Sequence, residues 1–141
     1  MIADPLWMKG YRAVSLGLAA VFAAVGLLFL FGPETVIRFF NTLSAPGAWP
    51  TATIMPVNFF NILAAGYMYV VTVLAYLIYR RPEQVYLPSL LSHAKLFSAV
   101  ASFAFFIWHR HYLIYLANGL VDGMLGAAYA YACLRLRRKT S

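Results

Sequence analysis

Residues 115–134 read "YLANGLVDGMLGAAYAYACL". A run of about 20 residues of this character is what an α-helix needs to cross a ~30 Å hydrocarbon layer. It nevertheless holds Asn118 and Asp122, and a carboxylate at a helix centre costs about 2.5–3.5 kcal/mol on insertion scales. A soluble helix would carry Asp122 on a charged outer face, and this chain has no such faces. Of its 141 residues 63% are hydrophobic and only 11% charged, against about 25% charged in a typical soluble domain. The charges gather at the ends of apolar runs, which excludes both a soluble globule and a disordered chain.

Three further stretches have the same length and polarity. With residues 112–134, the spans are about 12–32, 57–79 and 89–108. Each must be helical, because lipid offers no partner to an open amide or carbonyl. The first is too long for the apolar segment of a cleaved signal peptide, and no small-residue cleavage pattern precedes Pro33 and Glu34. The sequence predicts an all-α fold, a single-domain antiparallel four-helix membrane bundle covering residues 1–141.

Orientation follows from the basic residues. Lys9, Arg12, Arg80, Arg81, Arg135, Arg137, Arg138 and Lys139 fall on one side, Arg38 and Arg110 on the other, and Lys95 lies within the third span. The excess places both termini in the cytoplasm. The formal charge of +7 thus reports topology and not nucleic-acid binding. Trp7, Tyr79, Tyr86, Trp108, Tyr112 and Tyr131 stand where an aromatic belt would lie. The tail "RLRRKT" would meet anionic headgroups, and a bacterial inner membrane is the expected location.

The connections differ in kind. "RRPEQVYLP", 80–88, is a short link, and "HRH", 109–111, is a tight outer hairpin that makes the third and fourth spans antiparallel neighbours. The outer loop 33–56 has structure of its own. Val36, Phe39, Phe40 and Leu43 recur at helical spacing, with Glu34, Thr35, Arg38 and Thr42 on the other side. Pro33 and Glu34 suit a helix start. An interfacial amphipathic helix over 34–43 is expected, its apolar face toward the bilayer, before the link "APGAWP".

Asp122 leads the candidate site residues. Its own helix face reads Tyr115, Asn118, Gly119, Asp122, Gly126, Tyr129, and Gly119 with Gly123 forms a GxxxG that admits a close neighbour. Ser98, Ala99 and Ser102 give the third span a matching narrow face, so Gly119 and Gly123 are expected to mark the closest helix contact, with Gly126 on the same packing face. Asp122 then serves either as interhelical glue or as the anchor of a ligand, proton or substrate. Lys95 is the other intramembrane charge. It lies about 6 Å nearer the cytoplasm than the level of Asp122, and helical side chains lean toward their own N-termini. Snorkelling of its ammonium to the headgroups is the favoured reading, and a pair with Asp122 the alternative. On the second span Asn58, Asn61, Ala65, Met68, Thr72 and Tyr76 share a face. Asn58, Asn61, Asn118, Ser102 and Asp122 either line a polar pocket or bond between helices.

The remaining chemistry is sparse. Cys133 is the sole cysteine, so neither a disulfide framework nor a cysteine metal site is expected. His93 has no histidine partner at its depth, His109 and His111 belong to the hairpin, and no resident metal or cofactor is expected. No nucleophile triad or phosphate loop occurs.

With four short spans, a structured first outer loop and the polar "NGLVDG" at 118–123, the chain resembles the DoxX-like group of small four-helix membrane proteins along nearly its whole length. That resemblance implies an association with membrane-bound oxidoreductase systems and carries over no catalytic residue. The sterol-isomerase-like four-helix fold is a further comparison, but it wants several acidic pocket residues and only Asp122 is available. Two functions are therefore expected as alternatives. One is a non-catalytic subunit or assembly partner of a larger membrane complex, respiratory or quinone-linked, with other membrane subunits or further copies of itself as partners. The other is a binding protein or enzyme for a lipid, sterol, quinone or similar apolar small molecule, anchored around Asp122.

Overall fold

The structure, a computed structural model, describes residues 5–54 and 59–140. The chain is an integral membrane bundle of four long helices with one short helix between the first two: α1 Pro5–Phe31, α2 Pro33–Ser44, α3 Phe59–Arg80, α4 Tyr86–Trp108 and α5 Leu113–Thr140. All but α2 are long and apolar enough to cross a membrane.

The helices outrun the predicted spans at the end of the bundle where the termini meet. α1 is already helical at Pro5 and not first near 12, since nothing in "LWMKGY" stops a helix. α4 begins at Tyr86 and not at 89, because Pro88 sits in the first turn, where its missing N–H has no helical partner to lose. α5 runs on through the basic tail to Thr140. Arginines are favourable at the negative end of the helix dipole, and Leu136 still packs inward there. Asn58 and the predicted start of the second span at 57 lie outside the described residues.

α1 packs most closely on α3 and α4 on α5. Both pairs run antiparallel: Gly26 of α1 meets Met68 of α3, while Arg12 near the other end of α1 stacks on Tyr79 near the other end of α3. Along α5, Gly119, Gly123 and Gly126 successively face Phe103, Ala99 and Leu96. α3 also packs on α4, and Tyr129 of α5 closes the ring by donating its hydroxyl to Ser15 of α1 at 3.3 Å. The core between the pairs holds Ala19, Phe22, Val71, Ala75, Ile78 and Leu91. Polar bonds reinforce it: the Tyr67 hydroxyl to the Ala94 carbonyl at 3.2 Å, and the Ser92 hydroxyl to the Gly126 carbonyl at 2.8 Å. Such bonds contribute about 0.6–2 kcal/mol each between membrane helices.

α2 matches the predicted 34–43 closely. Pro33 starts it, Glu34 pairs with Arg38 one turn on at 3.5 Å, and Phe39 and Leu43 project away from the protein. Phe39 and Leu43 are thus left to the surroundings, as an interfacial helix requires, while Val36 and Phe40 of the same predicted face are half-buried. The loop that follows is fastened back by Asn41, whose side chain both donates to and accepts from the backbone of Ala52, each at 2.8 Å. The Trp49 ring lies 5.7 Å from that of Phe106 and ties the loop to α4.

Candidate functional site

The two intramembrane charges meet. Lys95 Nζ lies 2.9 Å from Asp122 Oδ1, and both side chains are at least 95% buried. The expectation that Lys95 snorkels is therefore corrected, and the reason lies in where α4 starts. With the helix beginning at Tyr86, Lys95 is about nine residues in, roughly 13 Å from that end. Its four-carbon stem cannot cover that distance. The facing of Gly123 on Ala99 sets Asp122 about five residues, roughly 7 Å, toward the hairpin from Lys95. The stem spans this smaller gap against the natural lean of both side chains.

Aromatic rings complete the surroundings of the ammonium. The centroid of Phe22 on α1 is 4.4 Å from Nζ, and that of Tyr67 on α3 is 5.4 Å away. One side chain of α4 thereby touches all three other spans. A desolvated cation over a ring gains about 2 kcal/mol, which offsets part of the several kcal/mol needed to dehydrate each ion. Neither Phe22 nor Tyr67 stands out in the sequence as a partner, because each is one of many aromatics on its helix. Only the rotation of the four helices about their axes brings them to Lys95.

Asn118 does not join Asp122. Its amide donates to Ser102 Oγ at 2.8 Å and to Ser98 Oγ at 3.3 Å, forming a separate polar cluster on the outside of the α4–α5 pair. Beside it runs an open groove of about 300 Å³. Ala94, Ser98, Ala101 and Ser102 of α4 form its floor, with Tyr67 and Tyr115 as walls. Asn61 is half-buried on α3 and lines neither this groove nor the one between α1 and α5 described below. Of the two alternatives for these residues, Asn118 and Ser102 follow the interhelical one, bonding between α4 and α5, while Asp122 is in a sealed ion pair within the bundle and Asn61 joins neither.

The glycine contacts also differ from expectation. A Cβ on Gly126 would come within 2.7 Å of Leu96 Cγ and 3.1 Å of the Leu96 backbone nitrogen, and one on Gly119 within 3.0 Å of the Phe103 ring. One on Gly123 would sit 3.7 Å from Ala99, an ordinary contact. The closest approach is therefore at Gly126, because Ala99 is small enough to leave room opposite Gly123.

His93 turns outward and bonds the Ser89 carbonyl through Nδ1 at 2.7 Å. His109 and His111 lean on Phe105 and Phe106. Among the described residues no group of three or more His, Cys, Asp or Glu is placed to hold a metal ion.

No family description, characterised protein or solved structure matches the chain.

Proposed function

We propose that the protein is a non-catalytic membrane subunit or assembly partner, held rigid by the Lys95–Asp122 pair and docking through its apolar flanks to other membrane proteins. The sealing of that pair carries the reading: the two charges that could serve chemistry within the bilayer neutralise each other at 2.9 Å, and neither lines a groove, Tyr67 standing between Lys95 and the one on α4. Only 17–22% of each span's most apolar window is buried within the chain, so most of the helical surface remains for lipid or partners. The small-residue floor of the α4 groove suits close approach by another helix. The resemblance of the "NGLVDG" helix to DoxX-like proteins supports a place beside membrane-bound oxidoreductases of a bacterial inner membrane.

A second reading draws on the serine hydroxyls. Ser102 accepts from Asn118, which leaves its own proton to donate, and aromatic walls flank it. A flat apolar molecule with carbonyl oxygens, such as a quinone, fits this groove better than a pocket at Asp122.

Purification in mild detergent separates the two. With a photo-crosslinker at Phe97, which is 77% exposed beside the groove, stoichiometric adducts with other membrane proteins are expected. Adducts with lipid alone, together with a retained ring-bearing small molecule, would replace the first reading by the second.

The excess of basic residues at the terminal end supports cytoplasmic termini. Cysteine at the exposed Thr42 of α2 should react with an impermeant thiol reagent on intact cells, and cysteine at the exposed Glu83 only after lysis. The reverse pattern would invert the orientation.

A further inference from the structure

A second groove, of about 260 Å³, separates α1 from α5 at the terminal end of the bundle. Its walls change character along its length. Trp7, Tyr11, Val14 and Leu18 line it in order along α1, with Leu125 and Ala128 of α5 at its deep end. At the rim the Arg135 guanidinium stacks 4.7 Å from the Trp7 ring. Arg138 follows one turn later on the same face of α5. Among the described residues neither Arg135 nor Arg138 is in an ion pair. One turn deeper, the Tyr11 hydroxyl is buried and lacks a hydrogen-bond partner.

From rim to depth the groove therefore offers cations, then a free phenolic donor, then apolar walls. This is the polarity order of one anionic glycerophospholipid. We infer that the α1–α5 groove binds such a lipid from the leaflet at the terminal end, with its phosphate at Arg135 and Arg138 and an acyl chain along Val14, Leu18, Leu125 and Ala128. The ester carbonyl lies at the level of Tyr11 and accepts its hydroxyl proton after a small shift of the ring. Arg12 takes no part, since its guanidinium stacks on Tyr79 on the α3 side of α1. Basic grooves between membrane helices hold anionic headgroups by this chemistry. The site is independent of the α4 groove and of the function proposed for it.

Trp7 supplies the readout. In a Trp49→Phe/Trp108→Phe background it is the remaining tryptophan, and acyl-brominated lipid seated in the groove quenches it on contact. The protein is placed in phosphatidylcholine vesicles containing a small fraction of brominated phosphatidylglycerol or, separately, brominated phosphatidylcholine. The anionic lipid is expected to show roughly ten-fold or greater relative affinity, the size of effect two arginines exert at an anionic surface. Arg135→Gln/Arg138→Gln should bring the ratio close to one while the helical circular dichroism is unchanged. Ala128→Phe keeps every charge but fills the groove, and should also abolish the preference. Val14→Phe fills the same groove from α1 and provides a second, independent block. Equal quenching by the two lipids in the parent protein overturns the proposal. So does a preference that survives both groove-filling variants, because the basic tail alone would then be attracting the headgroups.

Discussion

Replacing Lys95 by Met, or Asp122 by Leu, should each lower the stability of the bundle by about 3–5 kcal/mol, while the double variant Lys95→Met/Asp122→Leu regains most of the loss. Each single change leaves one charge in the core without its counter-ion, at a place where lipid and packed helices supply no water. The double change removes both ions together with their desolvation cost, and Met retains much of the contact with Phe22 and Tyr67. Asp122→Asn is the sharper probe. The amide preserves shape and hydrogen bonding but leaves the ammonium without a counter-charge, so it should fall with the single charge deletions and not with the parent. Adding Lys95→Met to Asp122→Asn should then recover stability. Reversible unfolding in mixed micelles, arranged as a double-mutant cycle, reads the coupling directly. If the two single losses simply add in the double variant, the pair is not the clamp described here.

The number of spans, the hairpin and α2 were all legible before the structure, because apolar length and helical periodicity are properties of single elements. The helix ends were less so. Pro88 reads as the close of a loop, yet in the structure it belongs to the first turn of α4. Lys95 thus stands about nine residues inside α4, and its partner is Asp122 and not a headgroup. Depth along one helix can be counted from its sequence, which is why Asp122 stood out. Rotation about the axis relative to three neighbours cannot, and this rotation is what brings Phe22 and Tyr67 to Lys95 while turning Asn118 away from Asp122 toward Ser98 and Ser102. The glycine stripe was visible too. Which glycine is tight depends on the side chain opposite, and Phe103, Ala99 and Leu96 become opposite only once α4 and α5 are packed in register.

That register makes the glycines unequal under substitution. Gly126→Val should lower stability by about 1–3 kcal/mol or more, the cost of overpacking a close-packed contact. A side chain at 126 meets not only the movable end of Leu96 but also its backbone nitrogen at 3.1 Å, so relief requires α4 and α5 to separate. Separation in turn stretches the 2.8 Å bond from Ser92 to the Gly126 carbonyl, leaving a buried hydroxyl and carbonyl without each other. One turn away, Gly123→Ala should have the opposite sign. Its new methyl would sit 3.7 Å from Ala99 in ordinary contact, and Ala in place of Gly within a helix stabilises by about 0.5–1 kcal/mol. Gly119→Ala falls between them, because the contact at 3.0 Å is with the Phe103 ring, which can tilt. The three variants, compared by thermal unfolding in one detergent, should rank Gly123→Ala above the parent, Gly119→Ala near or below it, and Gly126→Val lowest. A Gly126→Val protein as stable as the parent would mean that α4 and α5 do not pack in the register on which the Lys95–Asp122 geometry depends.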